Sequence, residues 1–416
     1  MKWLFTLWLT LLLAAHSRVL AFQDVPQDGI EPCQSQAQAA GSHSPRSEAE
    51  APWPQQLTSV VSLNRQATQY QDEGRYTKAE PLFVEALKIC ESYCGLNRSL
   101  FLVTSLNNLA RLYYDEGSYT RAEPLLRRAL MNGERDLGPQ QLEVAVTLEN
   151  LGYLYVAEGL CAQAQPFLRR GLSITEKELG YDHPDVATSI SGLGDALYCQ
   201  GRYSEANTLL RRAFLIRQKA LDPSHRDLAF TMNRLAQISQ VQGRWVEAEG
   251  WYGQAVSILE RTVGTEHPEL AAVLINLAGL RLREHKYDEA HALYKRALAI
   301  SEKSLGLSHP VTAACLENLA ELYAKERRYL EAEPLYRKAL SIQEKSLPLN
   351  HPDLAKTLRA YAVLLRKTKH KADAKALDER AKVIVARNTA TNEANRTIDV
   401  RALRLESGHQ ANENRK

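Results

Sequence analysis

Four histidines recur in step along the chain, at His183, His267, His309 and His351, and each is followed by proline. Imidazole can ligate a metal or carry a proton near neutral pH. Separated by 42 or 84 residues, these rings fall one to a structural unit and cannot gather at one centre, so they belong to turns or to the starts of helices. Cys90 and Cys94 are four apart, without the Cys-x-x-Cys spacing of zinc or redox sites. Cys33 and Cys315 have no evident partner. Cys161 opens one expected helix and Cys199 closes the next, so the two come closer in space than in sequence and an exported protein could oxidise them to a disulfide. Nucleophile elbow, P-loop, dinucleotide fingerprint and His-Glu-x-x-His are missing from the sequence. Glutamates are abundant, yet scattered over exposed helix faces they do not form a paired-carboxylate centre. The reading is therefore of a non-enzyme with no cofactor and no metal. Two Asn-x-Ser/Thr sequons, at Asn97 and Asn395, matter only in a secretory pathway that glycosylates.

Cations come in pairs, at Arg127-Arg128, Arg169-Arg170, Arg211-Arg212, Lys295-Arg296 and Arg337-Lys338. A stripe of them could bind an anion. Glu123, however, stands four residues before Arg127 and Glu333 four before Arg337, the order that favours ion pairs along a helix, so the stripe reads as a solvated face. A denser cluster at Lys356, Arg359, Arg366, Lys367, Lys369 and Lys371 lacks the interleaved aromatics that stack on bases. Lys+Arg number 52 against 49 Asp+Glu, and a net charge of +3 argues against nucleic acid or an anionic membrane as the main partner.

The elements that must carry these residues repeat. One turn phrase recurs at Gly74-Arg75-Tyr76, Gly117-Ser118-Tyr119, Gly159-Leu160-Cys161, Gly201-Arg202-Tyr203, Gly243-Arg244-Trp245, His285-Lys286-Tyr287 and Arg327-Arg328-Tyr329, with a degenerate copy at Lys369-His370-Lys371. The spacing is 43 residues once and then 42, the mark of stacked units that bury a core only against their neighbours. Each unit reads as two helices joined at the phrase. The first carries apolar residues at helical spacing, as in Leu316, Leu319, Ala320 and Tyr323. The second opens with Thr77-x-x-Glu80 or Thr120-x-x-Glu123, the pattern of a capping box. Pro81, Pro124, Pro166 and Pro334 are expected in its first turn, where a missing N–H matters little. Three positions per unit stay small, as at Ala110, Ala122 and Ala129, with Leu82, Leu125, Phe167, Leu209, Trp251, Leu293 and Leu335 as the bulk between them.

The ends differ from this middle. Lys2, a thirteen-residue largely apolar run from Trp3 to Ala15, and Val19-Leu20-Ala21 read as a cleavable secretory signal peptide over residues 1–21; the run is too short to span a bilayer, which makes an uncleaved anchor the weaker alternative. Residues 22–56, rich in Gln, Ala, Ser and Pro, read as a disordered linker, and residues 386–416 as a polar flexible tail. The expected location is outside the cytosol, secreted or periplasmic, with no membrane span in the mature chain.

The small-residue positions, the Gly-x-Tyr turn and the first-helix phrase Asn-Leu-Ala-x-Leu-Tyr resemble the tetratricopeptide repeat. The 42-residue period and the recurring His-Pro phrase, as in Leu179-Gly180-Tyr181-Asp182-His183-Pro184, resemble its kinesin-light-chain type over residues 57–385. His225-Arg226 and Gln141-Leu142 depart from that phrase. The resemblance implies an all-α fold, a right-handed α-solenoid of about eight stacked helix-turn-helix repeats, whose concave wall of first helices binds a protein or peptide partner. The family's groove asparagine maps onto Asn108, Asn150, Asn276 and Asn318, while Gly192, Arg234 and Ala360 interrupt the ladder. An amide both donates and accepts, so such a ladder can clamp a peptide backbone without reading its side chains. One helical turn on, Arg111, Tyr153 and Glu321 are the selectivity candidates. The alternative is a structural module that self-associates, or joins an envelope complex, through its terminal repeats.

Overall fold

The computed structural model describes residues 53–72, 75–92 and 98–390. The expected signal peptide, the linker up to residue 52, Gly74, Cys33, Cys94, both sequon asparagines and the tail from residue 391 lie outside the described residues. Among the described residues every regular element is a helix. They are α1 Trp53–Asp72, α2 Tyr76–Ser92, α3 Arg98–Asp115, α4 Tyr119–Asp136, α5 Leu142–Ala157, α6 Cys161–Leu179, α7 Pro184–Cys199 and α8 Tyr203–Ala220. There follow α9 Arg226–Val241, α10 Trp245–Thr262, α11 Pro268–Arg283, α12 Tyr287–Ser304, α13 Pro310–Lys325, α14 Tyr329–Ser346, α15 Pro352–Lys367 and α16 over 371–390. They pair as eight helix-turn-helix repeats, so the all-α solenoid expected from the sequence is the observed fold. Its first helix starts at residue 53, ahead of the expected boundary at 57, and α16 runs past 386.

Two compact units divide the described residues, one up to residue 115 together with 121–147, the other 116–120 together with the residues from 148 onward. Within each, small residues decide how closely helices meet. Ala79, Ala86, Ala122 and Ala129 in the first unit, and Ala206, Ala213, Ala248, Ala255, Ala290 and Ala297 in the second, are all fully buried. The bulk that fills the space between them lies one residue beyond the expected positions. Phe83, Leu168, Leu210, Tyr252, Tyr294 and Tyr336 are the fully buried side chains, whereas Leu82, Leu125, Phe167, Leu209, Trp251, Leu293 and Leu335 are only partly covered. A side chain four residues after the small one stacks over it on the same helix face, and that face is the one turned to the first helix. Where the first helix offers glycine the fit is tightest. A Cβ on Gly152 would lie 2.3 Å from Cγ of Leu168, and one on Gly194 2.9 Å from Cγ of Leu210.

The His-Pro phrase is a helix start. In α7, α9, α11, α13 and α15 the histidine, at 183, 225, 267, 309 and 351, is the N-cap, with extended backbone and its ring accepting the N–H two residues on. The Nδ1 acceptor distances run from 3.1 Å at His309 and His351 to 3.4 Å at His267. Imidazole thereby satisfies an orphan N–H, the role Ser or Asp usually plays, and proline follows where no donor is needed. The second helices start differently. α2 and α4 begin at Tyr76 and Tyr119, so Thr77 and Thr120 lie at the second helical position and no capping box forms. At Arg202, Arg244, Lys286 and Arg328 the N-cap makes no side-chain cap bond. Arg202 and Arg328 instead pair with Glu205 and Glu331, each at 2.6 Å. With the helix starting one residue early, Pro81, Pro124, Pro166 and Pro334 sit at its sixth position, inside the helix and past the first turn.

Candidate functional site

Each first helix presents the asparagine position once, and the structure uses it locally. Asn108 of α3 is buried and donates from Nδ2 to Oδ1 of Asn64 in α1 at 2.9 Å. Asn276 of α11 makes the same bond to Asn233 of α9 at 3.0 Å. Asn318 of α13 donates to the Ala314 carbonyl of its own helix at 2.7 Å. Asn150 of α5 is half-buried. One N–H of three amides is thus committed, which fixes the plane of each group. α11 lies against α13, bringing the helices of Asn276, Asn318 and Glu321 side by side, while Asn108 and Arg111 belong to the first unit.

The selectivity candidates are also engaged. Tyr153 donates its hydroxyl to the Thr188 carbonyl at 2.9 Å, and Gly192 permits it, since a Cβ there would stand 3.0 Å from the phenol oxygen. Nε of Arg111 lies 3.8 Å from Asp115 of the same helix. Glu321 is half-buried. At the asparagine position of α9 an ion pair takes over: Arg234 of α9 meets Asp195 of α7 at 2.9 Å. Lys356 of α15 meets Glu317 of α13 at 3.0 Å. Both pairs span 39 residues, one period less one helical turn, a register that opposite charges in phase could have revealed.

Deeper lies a seam of buried polar groups that sequence reasoning missed. Asn107 donates to Oγ1 of Thr147 at 2.8 Å, and Gln343 to Glu317 at 3.4 Å. Glu149 accepts from Thr175 at 3.3 Å and from Ser189. Buried Arg217 donates to Ser191 at 3.1 Å, Thr188 at 3.1 Å and Thr231 at 2.6 Å. Its sequence signal was the in-phase row Ser105, Thr147, Ser189, Thr231, Cys315 and Thr357. Burial pushes the Glu149 carboxyl up to about 7 against the help of its hydroxyl donors. Asp185 is likewise pushed to about 7 by burial, with Arg217 opposing and Asp227 adding. Burial raises Glu317 as well, opposed by Lys356.

Most of the paired cations are spent on carboxylates. Arg127 meets Glu123 at 2.9 Å and Arg337 meets Glu333 at 2.8 Å, the pairs expected along one helix. The second cation reaches back to the preceding repeat: Arg128 to Glu91, Arg212 to Glu176, Arg296 to Glu260 and Lys338 to Glu302, at 2.6, 2.7, 2.8 and 3.5 Å. Cys90 and Cys315 are buried, and burial pushes their thiols up, Cys315 to about 11. The Cα atoms of Cys161 and Cys199 are 6.0 Å apart, with the sulfurs within bonding distance. Among the described residues no group of three or more His, Cys, Asp or Glu could hold a metal, and no helix is long and apolar enough to cross a membrane.

Rigid repeats that present amides and charges on one row of helices define a scaffold suited to non-covalent contact between proteins. The chain belongs to the tetratricopeptide repeat family, whose model matches residues 58–131, 101–177, 143–219, 186–240, 227–303 and 311–382, with a second such model over 275–346. Its 42-residue period is that of the kinesin-light-chain type. No curated protein sequence matches it. Among solved structures, a Rap protein complexed with Competence and Sporulation Factor is similar with a TM-score of 0.62 at 15% identity, over 83% of this chain and 90% of that one. The APC/C hetero-tetramer Cut9-Hcn1 follows at 0.52 and 14% identity, over 80% of this chain and 55% of that one. Both are likenesses of fold. A kinesin light chain with nearly identical TPR-like repeats from Podosopora anserina is 28% identical over 50% of this chain and 97% of that one, with a TM-score of 0.39.

Proposed function

We propose that the chain is an exported scaffold that holds an extended segment of a partner protein along its first helices, with Asn108, Asn150, Asn276 and Asn318 as backbone clamps. The observation that carries this reading is the pre-oriented amide. Asparagine is a poor helix former, yet it returns in phase, and three of the four spend one N–H on fixing their own orientation. The Rap structure, complexed with its factor, supports the idea that this fold can hold a partner. Arg111 and Glu321 would set the partner's sidedness, and Tyr153 would offer a ring face.

Photocrosslinking from Asn150 in the native compartment tests the reading. One partner captured through a short segment is expected. Each amide contact contributes about 1 kcal/mol, so alanine at all four positions, about 4 kcal/mol together, should weaken that capture by up to roughly a thousandfold. Loss of capture matched by an equal loss of thermal stability would remove the clamp assignment. Self-crosslinks alone would move the reading to the assembly module.

Export carries its own test. Lys2, the apolar run and Val19-Leu20-Ala21 support a mature chain beginning at Phe22, which N-terminal mass spectrometry would read directly; a protein starting at Met1 refutes it. The geometry of Cys161 and Cys199 supports a disulfide in that compartment. Exposed Cys199 should resist alkylation in the native protein until a reductant is added.

A further inference from the structure

Within the second unit the stack of repeats touches itself far from any sequential neighbour. Nε2 of His351 lies 2.5 Å from the carbonyl of Ala157 in the last turn of α5, across 194 residues. Nδ1 of the same ring accepts the N–H of Asp353 as the cap of α15, so the neutral ring keeps its proton on Nε2 and donates it to that carbonyl. The His351 side chain is 6% exposed, against 40%, 28% and 21% for His183, His225 and His267, which cap their helices in the same way.

The next residue confirms a close dock. A Cβ built on Gly159 would lie 2.4 Å from Cγ and Cδ of Pro352. One repeat earlier the relation recurs, with a Cβ on Gly117 falling 2.7 Å from Cγ of Pro310; residues 116–120 belong to this same unit. Both pairs are 193 residues apart, so the stack returns upon itself after between four and five repeats.

Backbone conformation explains only part of these two glycines. The equivalent turns hold His285, Arg327 and Lys369 at φ of 62°, 61° and 70°, so a side chain is tolerated there. Gly201 and Gly243 share the positive φ, yet a Cβ on either would meet nothing within 4 Å. What Gly117 and Gly159 supply is room for a proline.

We propose that the His-Pro starts of α13 and α15, docked on the Gly117 and Gly159 turns, form a clasp that fixes the pitch of the second unit's coil. A released clasp lets the coil extend. Its consequence for binding rests on the groove reading given above: amides held at a fixed pitch match the repeat of one extended segment, and a loosened coil must be reordered before it can bind.

The test compares Gly159→Ala with Gly201→Ala in the full chain. Both place alanine at the same positive φ, and only the first meets Pro352. Small-angle scattering should show a larger maximum dimension for Gly159→Ala alone, and its amides around 157–161 and 351–354 should exchange roughly tenfold faster than wild type. Equal behaviour of the two variants overturns the clasp. Should Gly159→Ala fail to fold, His351→Asn against His183→Asn asks the same question, since asparagine keeps a helix cap and loses the reach of Nε2. Faster exchange at Ala157–Leu160 is expected in His351→Asn only, and its absence rejects the proposal. None of these readouts needs a ligand, so they separate the clasp from the groove.

Discussion

Glu149 is a carboxyl set among hydroxyls inside a stack built of alanine and leucine, and its titration follows from that setting. Its ordinary value of 4.5 is raised by burial to about 7, so the folded state binds the proton more tightly than the unfolded chain does. The stabilisation is therefore whole below about 4.5 and is lost as the pH rises through about 7. That gap corresponds to on the order of 3 kcal/mol. A glutamine side chain in its place would keep an acceptor for Ser189 and Thr175 and remove the titration. Glu149→Gln should consequently melt at least roughly 5 °C above wild type at pH 8 and close to it at pH 5. Asp185, raised to a similar value, leaves the variant some pH dependence. A melting difference that does not change with pH would show that the Glu149 carboxyl is already ionised at pH 5.

At the scale of the helix, the histidine caps of α7 and α9 make a second pH-dependent contribution of opposite sign. Burial holds the His183 ring below its ordinary 6.5, and the neutral ring is the one whose Nδ1 can cap α7. This contribution is present above about 6.5 and is lost as the pH falls through the folded value. His183→Ala should cost about 1 kcal/mol in chemical denaturation at pH 8, and His183→Asn should restore most of it. Equal loss in both variants would mean that the ring acts by packing. Phase was the legible part of these elements. The 42-residue period gave the number of helices, the turns, the small positions and the place of each His-Pro phrase. Offsets between helices were not legible. Thr77 and Thr120 resemble N-caps, but the helix starts at the tyrosine before each. Whether Leu82 or Phe83 fills the core depends on how two helices cross, and the reach of Arg128 to Glu91 depends on how far one repeat slides over the last. Asn108 and Asn276 were legible as a recurring site, while their bonds to Asn64 and Asn233 were not, since those partners sit one residue out of step.

Across the whole molecule, stability is expected to behave as a sum over neighbouring repeats, interrupted by one exception. Tyr294 is fully buried in α12 and packs in one cluster with Ala278, Ala290, Leu319, Ala320 and Tyr323 of α11 to α13. Removing its ring by Tyr294→Ala leaves a cavity whose cost, by analogy with other large aromatic deletions, is about 3–5 kcal/mol. In a globular core that loss is shared by every residue. In a stack it falls on the helices that touch the cavity and on their immediate neighbours, because each helix shares its core only with the repeats beside it. Hydrogen exchange should therefore accelerate from α11 to α14 and stay at wild-type rates in α1 and α2. Uniform acceleration would show that the array unfolds as one cooperative body. The clasp gives the exception its signature: His351→Asn, though it lies in the last repeat, should quicken exchange at Ala157, five repeats back, and leave intervening α10 unchanged. A near-neighbour response to Tyr294→Ala and a remote response to His351→Asn cannot both arise from a simple linear stack. Finding the two together would mean that the coil is held by sequential packing along its length and by contact between its successive turns.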